Sequence, residues 1–188
     1  LEHGGDAEVD AGAAHVGFVA ARELGKAGVG INYGGGGVGL MGVMADRAMA
    51  EGAAVRGVIP DFLNTVEHGH PGLTDLVVVG DMRERKHRML EESDAVVCLP
   101  GGSGTLEEVF EVLTLKRLGQ FLGPIVLVNT RGYYDRLDAF LRHAVSERFM
   151  ADRHLEMWTL VASPEAVLPA FHDAPRWSAE ARHFAAVR

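Results

Sequence analysis

The amino-acid sequence predicts an α/β fold: a doubly wound parallel sheet with helices on both faces, in a single domain over residues 1–188. Short apolar runs rich in β-branched residues recur without polar alternation, as in strands buried on both faces of a parallel sheet. Helical patterns separate these runs, and two of the runs lead directly into glycine-rich turns. Such sheets bind ligands at the carboxyl ends of their strands, where both turns are predicted to lie.

The first part of the chain predicts a helix followed by a strand, a glycine turn and a second helix. Apolar residues at helical spacing predict a helix over Ala11–Ala27, and Val29–Tyr33 predicts the strand that follows. The glycine-rich run Gly34–Gly42 leads from this strand into a helix over Leu40–Glu51. The next strand covers Ala54–Ile59.

The remainder continues the alternation after a polar loop with about one helical turn. In order, the predicted elements are strand Leu76–Val79, helix Met82–Glu92, strand Ala95–Leu99, a helix from Thr105, strand Ile125–Val128, helix Tyr134–Arg148, strand Trp158–Val161 and helix Pro164–Phe171. The tail over residues 174–188 is expected to be weakly ordered.

The run 93–118 combines a strand, a glycine turn and a helix in one short segment. Gly101, Gly102 and Gly104 let the backbone turn sharply where the strand ends. The helix that follows presents unpaired N–H groups and the positive end of its dipole at this turn. A phosphate group is the natural ligand of such a helix N-terminus.

Three carboxylates, on Glu107, Glu108 and Glu111, follow this turn closely. The pattern Thr105-x-x-Glu108 matches a capping box, which would give Glu108 a structural role. A catalytic role is the equal alternative, because carboxylates near a phosphate site repel the ligand unless they point elsewhere or take part in the chemistry.

Composition argues against several classes of partner. The net charge is −8, from 18 basic and 26 acidic residues, with no basic stripe, which argues against duplex nucleic acid and anionic membranes. The single cysteine, Cys98, provides neither a disulfide framework nor a cysteine metal site and favours a cytoplasmic location. His68 and His70 lack a third ligand in the pattern and are expected to face solvent, so we expect no metal and no cofactor.

The first glycine turn also matches the dinucleotide-binding fingerprint G-x-G-x-x-G. Matches begin at Gly34 and Gly37, and Asp61 lies about 20 residues after the end of the glycine run, as the fingerprint requires. An NAD-dependent oxidoreductase is therefore one alternative. The fingerprint does not account for the second glycine turn or for the charged helix between the two turns.

Three motifs occur in order along the chain. They are the glycine run Gly35–Gly42 with the strand end Gly57–Pro60, the Met-x-x-Arg-Lys element Met82, Arg85 and Lys86, and P-G-G-x-G-T-x-x-E as Pro100–Glu108. With these motifs the sequence resembles, over about residues 17–169, the LOG ("lonely guy") family of cytokinin riboside 5′-monophosphate phosphoribohydrolases, often labelled lysine decarboxylases. The resemblance implies a Rossmann-like fold and hydrolysis of the N-glycosidic bond of AMP or N6-substituted AMP to free base and ribose 5-phosphate.

The resemblance also implies a role for each site residue. Glu108 would stabilise the ribose cation and orient or deprotonate the attacking water, and Arg85 would assist the departing base. The implied substrate-binding residues are Gly35, Gly36, Glu67, Lys86, Gly101, Gly102, Ser103, Gly104, Thr105, Glu107 and Thr114.

Two departures from the family pattern accompany the resemblance. Family members begin with a strand that carries a Cys-Gly-Ser-Ser-like turn, and no such run precedes Ala11, so we expect that strand and its nucleotide contacts to be missing. Arg83 replaces the histidine of the Met-His-x-Arg-Lys element. A non-catalytic nucleotide-binding module is therefore a second alternative.

The helix after Thr105 is apolar on more than one side, which predicts burial between the sheet and a second subunit. Its apolar residues are Phe110, Val112, Leu113 and Leu115. We expect a homodimer.

Overall fold

The computed structural model describes the chain over residues 4–65 and 68–185. The chain forms two compact units, Leu1–Ser93 and Asp94–Arg188, and each contains a three-stranded parallel sheet. The predicted α/β class, with parallel strands connected through helices, is confirmed. The organisation as a single domain stays a prediction.

The first unit alternates helices and strands in the predicted order. Its elements are α1 (Gly4–Lys26), β1 (Ile31–Tyr33), α2 (Gly39–Ala50), β2 (Val55–Pro60), α3 (Asp61–Asn64), β3 (Asp75–Val79) and α4 (Met82–Glu91). Strand β2 lies between β1 and β3, and its last residue, Pro60, pairs with Val79. The short helix α3 is the helical turn that the sequence predicts in the polar loop.

Small residues allow α1 and α2 to lie close together in the first unit. Ala21, Ala45 and Ala48 are fully buried, and a Cβ atom on Gly17 would lie 2.3 Å from Leu40 Cδ1. A larger side chain at Gly17 would therefore displace the Leu40 side chain from this contact. This contact explains why the helical patterns before and after β1 are rich in alanine and glycine.

The second unit contains the remaining strands and helices. Its elements are β4 (Val96–Cys98), α5 (Ser103–Arg117), β5 (Ile125–Val128), α6 (Asp135–Ser146), β6 (Thr159–Val161) and α7 (Val167–Asp173), with 3-10 turns at Thr130–Gly132, Asp152–Glu156, Pro164–Ala166 and Ala179–Phe184. Strand β5 is fully buried between β4 and β6. Helix α5 begins two residues before the predicted Thr105.

The tail of the second unit contacts the end of α5. The Trp177 indole N–H donates to the Lys116 carbonyl oxygen at 2.7 Å, and Ala181 is buried. The Lys116 ammonium is buried as well, donates to the Gly123 carbonyl oxygen at 2.6 Å and lies 5.8 Å from the Trp177 ring centroid. Burial lowers the pKa of Lys116 from 10.5 to about 8.

This lowered pKa predicts that the protein gains stability from Lys116 as the pH rises. Between about pH 8 and pH 10 the unfolded state binds more protons at Lys116 than the folded state does. The free energy of unfolding of the wild type should therefore rise relative to that of Lys116→Met, by at most about 1.4 kcal/mol per pH unit. Urea unfolding of both proteins at pH 7, 8, 9 and 10 measures the difference, and parallel pH curves would contradict the prediction.

Candidate active site

The first glycine turn is covered by protein backbone. The Gly35 carbonyl oxygen accepts from the His70 N–H at 3.0 Å, and the Gly37 N–H donates to the His68 carbonyl oxygen at 2.9 Å. A bridge between Gly36 and Gly69 completes this pairing. The segment 68–70 thus lies along the turn as an antiparallel partner, and the predicted ligand residues Gly35 and Gly36 are buried beneath it.

Side chains add to the closure of this turn. The Tyr33 hydroxyl donates to the Gly36 carbonyl oxygen at 3.1 Å, and burial, followed by the charge of Asp46, raises its pKa to about 12. His70 Nδ1 accepts from the Gly72 N–H at 3.1 Å, so the ring proton lies on Nε2, 3.0 Å from Asp46 Oδ1. The expectation that His70 faces solvent is wrong, because this histidine is buried and holds the loop after the turn in place.

Arg85 is anchored on the residue that begins the same turn. Its Nη2 donates to the Gly34 carbonyl oxygen at 3.0 Å, and only 7% of the residue is exposed. A Cβ atom on residue 34 would lie 2.0 Å from Nη2, so a side chain at this position would displace the guanidinium from the Gly34 carbonyl. Helix α4, which carries Arg85, begins at the N-cap Asp81, whose side chain accepts the Glu84 N–H at 2.8 Å.

Among the residues that the structure describes, the Arg85 side chain donates to neutral groups. Besides the Gly34 carbonyl, Nη1 lies 3.7 Å from Met82 Sδ, and Nε is buried without a hydrogen-bond partner. A buried cation is costly without an anion nearby, so a negatively charged or electron-rich ligand would stabilise it. Lys86 is half-buried beside it and Arg83 is exposed, while Glu67 lies outside the described residues.

The second glycine turn is open. Helix α5 has Gly102 as its N-cap, and the first helical bond runs from the Leu106 N–H to the Gly102 carbonyl oxygen at 3.1 Å. The N–H groups of residues 103–105 precede this bond and point out of the helix end. Residues 102–104 are exposed, and a Cβ atom on Gly102 or Gly104 would meet nothing within 4 Å.

The predicted capping box at Thr105 and Glu108 is wrong. The N-cap is Gly102, no side chain caps it, and Thr105 is already the third helical residue. Glu108 therefore lies too far along α5 to cap its N-terminus. A capping role for this carboxylate, which the sequence left equal to the catalytic one, is therefore excluded.

Glu108 lies on the side of α5 that faces the end of β4. Gly104 and Thr105 precede it by four and three residues, so the three positions share one helix face. Burial raises the pKa of the Cys98 thiol to about 12, and the nearby Glu108 carboxylate adds to the shift. Cys98 therefore stays a neutral thiol at neutral pH.

Glu107 and Thr114 occupy a different face of α5. They are seven residues apart, which places them on one stripe of the helix, and both are exposed. The Thr114 hydroxyl donates to the Phe110 carbonyl oxygen at 2.8 Å. Glu108 therefore shares a helix face with the second glycine turn, whereas the predicted ligands Glu107 and Thr114 lie on another face of α5.

Two adjacent tyrosines that the sequence analysis missed hold the backbone before α5. The Tyr134 hydroxyl donates to the Leu99 carbonyl oxygen at 2.6 Å, and the Tyr133 hydroxyl donates to the Gly101 carbonyl oxygen. Burial raises the pKa of Tyr134, with smaller contributions from Cys98 and Tyr133, so its hydroxyl remains a donor. The sequence did offer one signal for them. The two tyrosines follow β5, which pairs with β4, and ligand sites of such sheets form where neighbouring strands end.

The predicted site residues are divided between the two units. Gly35, Gly36, Arg85 and Lys86 belong to the first unit, whereas the residues from Gly101 to Glu108 and Thr114 belong to the second. Within residues 4–65 and 68–185, no cluster of three histidine, cysteine or acidic residues could hold a metal ion. No helix of this part of the chain is long and apolar enough to cross a membrane.

Known proteins resemble this chain in sequence and in fold. The sequence model of a family described as "Possible lysine decarboxylase" matches residues 41–171. The cytokinin riboside 5′-monophosphate phosphoribohydrolase of Rhodococcoides fascians is 45% identical over 130 residues, 69% of this chain and 66% of that protein. The Arabidopsis thaliana enzyme of that name, LOG1, is 41% identical over 146 residues, 77% of this chain and 67% of its own.

A solved structure shares the fold at low sequence identity. The molybdenum cofactor carrier protein of Chlamydomonas reinhardtii superposes with a TM-score of 0.65 at 18% identity, over 87% of this chain and 88% of that one. This likeness supports the Rossmann-like α/β fold alone.

The extent of the sequence match settles the family. The chain spans 58% to 66% of the length of four curated relatives, including those of Rhodococcoides fascians and rice. The family's sequence model covers most of this chain, and the resemblance seen in the three sequence motifs is confirmed. The chain belongs to the LOG family, whose sequence model carries the description "Possible lysine decarboxylase".

Proposed function

We propose that this protein hydrolyses the N-glycosidic bond of a nucleoside 5′-monophosphate, AMP or N6-substituted AMP, and releases the free base and ribose 5-phosphate. The observation that carries the proposal is the open N-terminus of α5 with the Glu108 carboxylate one turn behind it on the same face. An anion site beside a carboxylate fits a substrate that has a phosphate and develops positive charge on its sugar. The relatives are named cytokinin riboside 5′-monophosphate phosphoribohydrolases, which supports a nucleoside 5′-monophosphate as the substrate.

The turn at Gly102, Ser103, Gly104 and Thr105 is proposed to bind the 5′-phosphate. Its exposed N–H groups and the positive end of the α5 dipole favour an anion. In the first glycine turn, by contrast, the carbonyls of Gly34, Gly35 and Gly36 accept bonds from Arg85, His70 and Tyr33, and the Gly37 N–H is bonded to His68.

Glu108 is proposed as the catalytic carboxylate. Cleavage of the bond between base and ribose passes through an oxocarbenium-like state, which a nearby negative charge stabilises. The carboxylate also accepts a hydrogen bond from the attacking water and takes up its proton as the C–O bond forms. A phosphate held at residues 102–105 would place the ribose next to the face that carries Glu108.

Arg85 is proposed to interact with the departing base. Its guanidinium keeps its proton at neutral pH, so it donates hydrogen bonds to the base rather than transferring a proton. The anchor on the Gly34 carbonyl orients the guanidinium, and the groups that accept from it among the described residues are neutral. A base that gains electron density as the glycosidic bond breaks would interact favourably with this charge.

The other predicted contacts extend this proposal. Lys86, Gly101, Glu107 and Thr114, together with Glu67, are proposed substrate contacts on the strength of the family motifs. Gly35 and Gly36, which are buried beneath residues 68–70, are proposed to contribute by holding the turn that anchors Arg85 rather than by contact with the phosphate. We also propose a cytoplasmic homodimer that needs no metal or cofactor. Phe110 on α5 is 42% exposed, as expected for a helix that contacts a second subunit.

Replacing Glu108 by glutamine should remove most of the activity while preserving the shape of the side chain. We expect base release from AMP to fall by about 10²–10⁴-fold, because the amide neither takes up the water proton nor carries the charge that stabilises the sugar cation. Chromatography of the released adenine measures the rate. Glu147→Gln, an exposed glutamate of the same unit, is the matched control and should retain the wild-type rate. A Glu108→Gln rate within twofold of wild type would contradict the assignment.

Replacing Gly104 by aspartate should oppose substrate binding without destabilising the fold. The added side chain meets no neighbour within 4 Å, and an acidic residue in the first turn stabilises a helix by roughly 0.3–1 kcal/mol. The same charge repels a 5′-phosphate. We therefore expect the KM for AMP of Gly104→Asp to be at least about tenfold higher than that of Gly104→Asn. Thermal unfolding and steady-state kinetics of both variants make the comparison.

The neutral asparagine has nearly the same size and therefore isolates the effect of charge. Equal KM values for Gly104→Asp and Gly104→Asn would show that no anion binds at this helix end.

A further inference from the structure

We infer that Tyr133 is a positioning residue that aims the Gly102 N–H at the substrate phosphate. The inference rests on the proposed function, because it assigns the phosphate to the turn that opens α5. Tyr133 lies outside the motifs that define the family resemblance, and its role follows from its contact with Gly101.

The peptide bond between Gly101 and Gly102 links the tyrosine contact to the direction of the Gly102 N–H. The Gly101 carbonyl and the Gly102 N–H belong to one planar trans peptide unit, in which the C=O and N–H bonds point in opposite directions. The Tyr133 hydroxyl donates to the Gly101 carbonyl oxygen. By fixing that oxygen on the tyrosine side, the hydrogen bond turns the Gly102 N–H toward the other side.

Glycine makes such a restraint necessary. Gly101 and Gly102 lack a Cβ atom and rotate more freely than other residues, so the sequence of the turn does not by itself fix the direction of this N–H. Gly101 cannot be exchanged for a stiffer residue, because a Cβ atom there would lie 2.2 Å from Thr105 Oγ1. An external hydrogen bond supplies the stiffness that the turn lacks.

The segment that carries the tyrosine is itself held firmly. Asn129 Nδ2 donates to Asp135 Oδ1 at 2.7 Å, and Asn129 Oδ1 accepts from the Tyr134 N–H at 2.6 Å. Tyr134, which is 1% exposed, donates to the Leu99 carbonyl oxygen and meets the Tyr133 ring edge to face at 5.0 Å. The buried Tyr134 thus anchors the segment, and the half-exposed Tyr133 acts on the turn.

The variant Tyr133→Phe tests this role with the removal of one oxygen atom. We expect the Kd for ribose 5-phosphate, measured by calorimetry, and the KM for AMP to rise about fivefold, as for the loss of one hydrogen bond. The kcat at saturating AMP should stay within about twofold, because the phosphate contact contributes to binding. Loss of general stability would not produce this division between KM and kcat.

Tyr33→Phe is the matched control, since Tyr33 makes the same kind of bond to the Gly36 carbonyl in the covered turn. It should leave the Kd for ribose 5-phosphate unchanged, and both variants should melt within a few degrees of the wild type. Unchanged Kd and KM in Tyr133→Phe, or an equal effect of Tyr33→Phe on Kd, would overturn the inference.

The same measurements separate this inference from the proposed function. A wild type that binds ribose 5-phosphate but releases no adenine from AMP would refute the hydrolase, and the Kd values would still decide the role of Tyr133. A wild type that binds no ribose 5-phosphate would refute both.

Discussion

The account depends on the unpaired backbone N–H groups at the start of α5. A helix leaves its first N–H groups without internal partners, and here no side chain caps them and the residues around them are exposed. An anion is the partner that satisfies several of these donors at once and gains from the helix dipole. The proposed role of Glu108 follows from this, because a phosphate bound at the N-terminus of α5 would bring the sugar of the substrate next to the Glu108 carboxylate.

The two glycine turns show how similar composition leads to different roles. In the first turn, the backbone groups are used internally: the segment 68–70 pairs with it, Tyr33 donates to it, and Arg85 is fastened to its first residue. Its glycines are needed for close contact between protein atoms. In the second turn, tyrosines hold the carbonyl oxygens at Leu99 and Gly101 while the N–H side stays open. Residues 34–37 of the first turn thereby position a cation, whereas the exposed turn at residues 102–104 is the one proposed to bind the phosphate.

Much of this architecture could be predicted from the sequence, because runs such as Ile125–Val128 have the continuous apolar pattern of a buried parallel strand. The glycine turn before α5 was also evident. The start of α5 was placed two residues late, since glycines hide a helix start, and this error suggested a capping box that does not exist. The burial of His70 and the hydrogen bonds from Tyr133 and Tyr134 to the turn before α5 depend on contacts between segments that are distant in sequence. Local sequence patterns do not indicate such contacts.

The central claim is that the N-terminus of α5 binds the phosphate of the substrate. A crystal structure of the protein with ribose 5-phosphate tests it most directly, because the position of the phosphorus atom can be compared between the two turns. We expect a phosphate within hydrogen-bond distance of the N–H groups of residues 102–105, with the sugar toward Glu108. A phosphate bound at the start of α2, or a sugar directed away from Glu108, would contradict it.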